Sequence, residues 1–403
     1  MKYVVCMAAF VTLLSCSKKN NSTPAYHYVV HMAADGSNQG AVLQSAIDSC
    51  NAMGGGTVEV PAGNYVIGPI TMRSNVNLQL DTLAVLTASG TMSDFTVNGK
   101  LLNLIGATSA VNISITGKGV IDGNGAPWWA AFNASGGTLS RPRLVYFTTC
   151  TNVKLDGITL QNSPSFHFVP NQCSRVTVNN VKIYAPANSP NTDGIDPSNA
   201  TSVTITNCTI DDGDDCIAVK GGRVSGKLGY PTDTIIISGC TFLHGHGLSI
   251  GSETDCGVNY VRVSNCSFNG TANGIRIKSN IGLGGAINNL SYSNITMANV
   301  PNPIIIDYLY SSNTGTNLTD VPSVTNMIID HLTVTGASNA GSLIGLANTT
   351  NSISNLTLTN LNISAQTGLV LSNASNVTMS NYVINVTSGN QVIATNTVGG
   401  SGY

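Results

Sequence analysis

Val153-Lys154-Leu155-Asp156-Gly157-Ile158-Thr159-Leu160 alternates apolar and polar side chains, breaks once at Gly157, and resumes. Alternation with a period of two marks a strand, and the break marks a bend after which a second strand begins. The same pattern returns at 176–183, 203–210, 235–242, 261–268, 290–297, 327–334, 356–363 and 377–384, with Asn or Gly favoured at the break. The spacings, about 21 to 37 residues, are those of a solenoid. Short strands repeating at this interval, with few helices between them, predict an all-β chain folded as a right-handed parallel β-helix. Each coil stacks on the one before. Inward residues merge into one core, and outward residues line up in ladders.

Composition agrees with that architecture. Of 403 residues, 42% are hydrophobic and only 9% charged, with a formal net charge of −2. So few charges leave Ser, Thr, Asn and Gly to cover the surface. The balance excludes a basic nucleic-acid footprint and the charge-rich, apolar-poor make-up of a disordered chain. Leu43, Ala46, Ile47 and Cys50 recur at helical spacing within 39–53, and Gly54-Gly55-Gly56 stops the run. A helix here would cap the first coil, whose open end would otherwise recruit other chains. Cys208, Cys240 and Cys266 occupy one phase of three consecutive copies. They read as a column of small buried side chains ahead of a disulfide.

The first sixteen residues, with Lys2, a short apolar run and Leu13-Leu14-Ser15-Cys16, read as an export signal ending in a bacterial lipobox, in which Cys16 takes a lipid. Residues 17–25 are a polar tether, and 26–403 a single β-helix domain. The expected location is the bacterial outer membrane, facing the periplasm or the surface. Contact with the membrane would be through the lipid only, and the body is expected to be monomeric.

Acids are scarce, so their clustering is informative. Asp211-Asp212-Gly213-Asp214-Asp215 falls in one coil, with Asn191-Thr192-Asp193 one coil before, Gly245-His246-Gly247 one coil after, and Arg276-Ile277-Lys278 after that. Stacked strands lie about 4.8 Å apart, so matching positions in successive coils become neighbours. Ile217/Val219, Leu248/Ile250 and Ile275/Ile277 form the inward pairs, leaving Ala218, Ser249, Arg276, Lys220 and Lys278 outward. Asp193 and Asp215 share the inward parity, so they reach the surface only if the chain bends at Gly194 and Gly213. Three carboxylates, a His and two cations on one face suit glycoside hydrolysis, which needs one protonated and one ionised carboxyl group. Arg276 and Lys278 suit a sugar bearing a carboxylate.

These four motifs, in this order, resemble glycoside hydrolase family 28, the polygalacturonases. The likeness runs from Gly54–Tyr65 through Ile121-Asp122-Gly123-Asn124-Gly125 to Asn302–Asp307, and Gly247–Thr254 looks closest to bacterial endo-acting members. The resemblance implies an inverting hydrolase of α-1,4-linked galacturonic acid in de-esterified pectin. Asp214 would be the general acid. Asp193 and Asp215 would activate water, and His246 would keep the acid protonated. Arg276 and Lys278 would hold the substrate carboxylate, with Asn191 beside them. The family tyrosine would be Tyr310, with Tyr308 as its rival. Only half of the disulfide that brackets this site in fungal members is matched, by Cys216. No cofactor or metal is implied.

Exo release of single sugars, or a rhamnogalacturonan or substituted pectin as substrate, is the near alternative. A non-catalytic glycan-binding solenoid is the distant one, and a calcium-dependent pectate lyase another. Asp211 and Asp212 read as turn residues, Lys220 as a solvated strand residue, and Asp196 as either a ladder or a cleft residue. Trp128-Trp129 reads as loop packing ahead of a sugar-stacking platform.

Overall fold

A computed structural model describes residues 26–224, 226, 229–310, 320–347 and 352–403. The leader, the tether and Cys16 lie outside these residues.

The chain forms a parallel β-helix. Val153, Val176, Val203, Ile235, Val261, Leu290, Met327, Leu356 and Val377, the first residues of the sequence repeats, stand opposite one another in one unbroken parallel ladder. Each is buried, as are the apolar residues two positions later. The bend that interrupts each repeat has a common backbone cause. Gly157, Asn180, Asn207, Gly239, Asn265, Asn294, His331, Asn360 and Asn381 all adopt a left-handed φ, between 48° and 80°. Asn tolerates that region better than other side chains, and Gly enters it freely. A second run of left-handed residues carries an external ladder of Asn amides. Asn152 donates to Asn112, which donates to Asn75; Asn376 donates to Asn355, which donates to Asn326.

The helix Gly40–Ala52 buries Leu43, Ala46, Ile47 and Cys50 at the first coil. Cys208, Cys240 and Cys266 stack in the core, and all eight cysteines among the described residues are free thiols.

One face of the solenoid matters for function. It is built from the strands Ile105–Thr108, Val145–Thr148, Phe168–Asn171, Ile217–Val219, Leu248–Ile250, Asn273–Lys278 and Asn302–Asp307. Single bridges at Ile195 join Phe168 to Ile217, so this face is continuous.

Candidate active site

The ladder Ile195–Ile217–Leu248–Ile275 sets the positions of the acids and cations. Asp193 and Asp215 lie two residues before Ile195 and Ile217, at equivalent places in successive coils; His246 is two residues before Leu248. Arg276 stands opposite Ser249 in the next strand, and Ser249 opposite Ala218. The strand begins only at Ile217, so Asp214 and Asp215 sit in a turn, with bends at Gly194 and Gly213. Neither glycine needs a left-handed φ. Each is required by close approach: a Cβ at Gly194 would meet the Cys216 carbonyl at 2.4 Å, and one at Gly213 the Ser189 carbonyl at 2.3 Å.

Asp214 and Asp215 have different surroundings. Asp214 Oδ1 lies 3.1 Å from His246 Nδ1 and accepts the backbone N–H of Asp215; its Oδ2 accepts from Asn191 Nδ2 at 3.3 Å. Asp215 is buried. It accepts from Ser249 Oγ at 2.8 Å and from Lys278 Nζ at 2.6 Å, and Arg276 Nη1 is 3.8 Å away. Arg276 and Lys278 both lie over the ring of Tyr310, at 5.2 and 5.0 Å from its centroid. Tyr308 is turned into the core, where its hydroxyl donates to the Ser352 carbonyl. Asp193 is buried, with Lys220 Nζ 3.6 Å from its carboxylate and 2.9 Å from that of Asp196.

Burial would raise Asp214, but the hydrogen bond and charge of His246, with Lys278 behind, hold its carboxyl below the usual range. The bond to Asp214 raises His246, against its burial. The proton of this pair therefore rests on the imidazole. Burial, then the charge of Asp196, pushes Asp193 well up, with Lys220 opposing. Burial also raises Asp212, which lies under the site with neither oxygen hydrogen-bonded. Asp214, Asp215 and His246 offer donor atoms within 4.8 Å of one another. Lys278 already places an ammonium on Asp215, where a metal ion would compete with it.

Asn191, Asp193, Asp214, Asp215, His246, Arg276, Lys278 and Tyr310 are thus brought to one stretch of cleft. Some expectations need correcting. Lys220 is not solvated: it is buried between Asp193 and Asp196, with the Phe166 ring 4.5 Å from its Nζ. Asp196, open between a ladder and a cleft position in the sequence, is buried against the Lys220 ammonium beside Asp193. Asp211 and Asp212 are not simple turn residues: Asp212 is fully buried, and Asp211 ends the strand Thr209–Asp211, where it is half-buried and pairs with His244. Trp128 and Trp129 lie on the helix Ala126–Ala134 rather than in a loop: Trp128 packs edge-on against Phe95 and Trp129 donates to the Ser163 carbonyl, so the pair anchors that helix. Cys216 donates to the His244 carbonyl, in place of the half-matched disulfide.

Sequence reasoning missed Arg141, whose guanidinium ties the carbonyls of Pro164 and Pro190 to Asn191 Oδ1. It missed His167 too. That ring is fully buried, with Nδ1 3.1 Å from the backbone carbonyl of Asp193, and burial pulls its pKa down to about 4. Arg141-Pro142-Arg143 in a chain with 17 basic residues was the available signal for the first. None marked the second.

Fold and cleft together define a class: a parallel β-helix with an acid and base site of clustered carboxylates flanked by cations. The chain belongs to glycosyl hydrolases family 28, whose sequence pattern matches residues 50–388. It is 35% identical to an endo-polygalacturonase of Pectobacterium carotovorum subsp. carotovorum over 319 residues, 73% of this chain and 78% of that protein. Its fold is similar to that of an exopolygalacturonase from Thermotoga maritima (TM-score 0.81, 25% identity, 90% of this chain and 92% of that one). It is also similar to a polygalacturonase from Erwinia carotovora (TM-score 0.76, 31% identity, 88% and 97%).

Proposed function

We propose that this chain is an endo-acting polygalacturonase that hydrolyses α-1,4 links in de-esterified pectin with inversion. One observation carries the reading: Asp214 and Asp215 are adjacent, yet one is bonded to His246 and the other to Lys278. Adjacent carboxylates placed in such different fields divide acid and base work.

Asp214 donates to the leaving oxygen. Its proton is drawn from His246, which shares its hydrogen bond and holds the proton otherwise. A uronate carboxylate seated at Arg276 and Lys278 brings negative charge and excludes water, and both effects raise Asp214 into the range of an acid. Asp193 and Asp215 orient and deprotonate the attacking water on the other side of the sugar. Lys220 counters the burial that would keep Asp193 protonated. Tyr310, beside both cations, borders the sugar.

The test is incubation with polygalacturonic acid, following reducing ends and product lengths together. Mixed short oligomers early in the reaction support the endo reading, and monomer alone moves the mode to exo. An unsaturated product absorbing in the ultraviolet would replace hydrolysis by elimination.

The leader supports export and lipid anchoring at Cys16. Labelled palmitate should enter the wild-type chain and not Cys16→Ala; equal labelling of both would refute the anchor.

A further inference from the structure

We propose that Arg143 is a second carboxylate-binding point, which seats a uronate of the substrate on the opposite side of the acids from Arg276 and Lys278. This rests on the functional reading above. The register places it. Val145 stands opposite Phe168, Phe168 opposite Ile195, and Ile195 opposite Ile217. Two residues earlier in each coil, Arg143, Phe166, Asp193 and Asp215 therefore share one column. Arg143 lies two coils, about 10 Å, upstream of Asp193. Arg276 lies two coils downstream of Asp215's coil. The acids are in between.

The side chain is built for a ligand. Its guanidinium carbon lies 4.9 Å from the Tyr146 ring centroid and 5.3 Å from that of Phe166. Contact with ring faces leaves the in-plane N–H groups free for the two parallel bonds that a carboxylate accepts. Neighbouring cations along this face are already engaged. Arg141 is spent on carbonyls and Asn191, Lys220 on Asp193 and Asp196, and Arg223 on Asp255. Arg143 has no carboxylate partner among the described residues, and its Nε is buried without a hydrogen bond. A cleft that grips a uronate on both sides of the acids holds the polymer by its middle, which is the requirement of internal cleavage.

Steady-state kinetics of Arg143→Gln and wild type on galacturonate oligomers of increasing length, up to the hexamer, test this. Loss of a charge-assisted bidentate contact should raise KM for the hexamer about tenfold, with kcat changed less than twofold. The shortest cleaved oligomer, which does not reach Arg143, should show a much smaller rise. Arg143→Lys, which keeps the charge but not the fork, should fall between, and it decides the matter if the Gln variant does not fold. A KM ladder identical to wild type, or one raised equally at every length, overturns the assignment of Arg143 alone. A folded wild type that neither binds nor cleaves the hexamer fails the functional reading, and this proposal with it.

Discussion

The Lys220 ammonium lies 2.9 Å from the carboxylate of Asp196, both groups buried, and from there it also reaches Asp193 at 3.6 Å. It is the cation that works against burial at Asp193, while burial, opposed by Lys220, leaves Asp196 raised to about 6. Lys220→Met should therefore leave Asp193 protonated at neutral pH. Turnover should drop about 10²-fold, the usual worth of a general base, and the acid limb of the pH–rate profile should move up. Stability carries a sign. A carboxyl raised in the fold contributes stability that is present at low pH and lost as pH rises through its folded value. The variant's melting temperature should thus fall further behind wild type at pH 8 than at pH 5.

Asp214 has the geometry of the proton donor and is only partly buried, so its removal should spare the fold. Asp214→Asn should cost about 10²- to 10⁴-fold in kcat with an unchanged melting temperature, measured by reducing-end release. Wild-type turnover in this variant would move the acid role elsewhere, with Asp193, whose carboxyl burial raises, as the next residue to test.

The alkaline limb should belong to His246. Its pKa is raised by Asp214, so its proton is held above the ordinary histidine value of about 6.5 and lost as pH rises through the folded value. His246→Gln should remove that store, moving the alkaline fall of kcat/KM to lower pH while the acid limb stays in place. Matching alkaline limbs in variant and wild type would separate His246 from the acid.

Gly245 has φ +89°, and a Cβ there would meet Asp212 Oδ1 at 2.3 Å and the Asp214 carbonyl at 2.4 Å. Gly245→Ala should push the His246 turn away from the Asp214 turn. Expected are a loss of about 1–3 kcal/mol in denaturant unfolding and a fall in kcat larger than the fall in hexamer binding.

The repeat beginning at Val153 determined the architecture from sequence alone, because a period of two followed by an Asn or Gly permits one local answer: strand, left-handed bend, strand. Every repeat start read from the sequence stands in the one ladder. The acids, His246, Arg276 and Lys278 were legible for the same reason, since equal phase in stacked coils means adjacency. Tertiary structure alone decided how each of these groups is charged and faced. Lys220 reads as an ordinary polar strand residue, but a coil packed on each side buries it between two acids. Tyr308 and Tyr310 are two residues apart and equally plausible in sequence, yet one is sealed in the core and the other lies beside Arg276. Arg141, Arg143 and His167 belong to loops and strand entries outside the repeat pattern, where no periodicity reports direction. Phase records which residues are neighbours; burial, and the partners that relieve it, set their protonation and their free hydrogen-bonding edges, and those depend on contacts between coils distant in sequence.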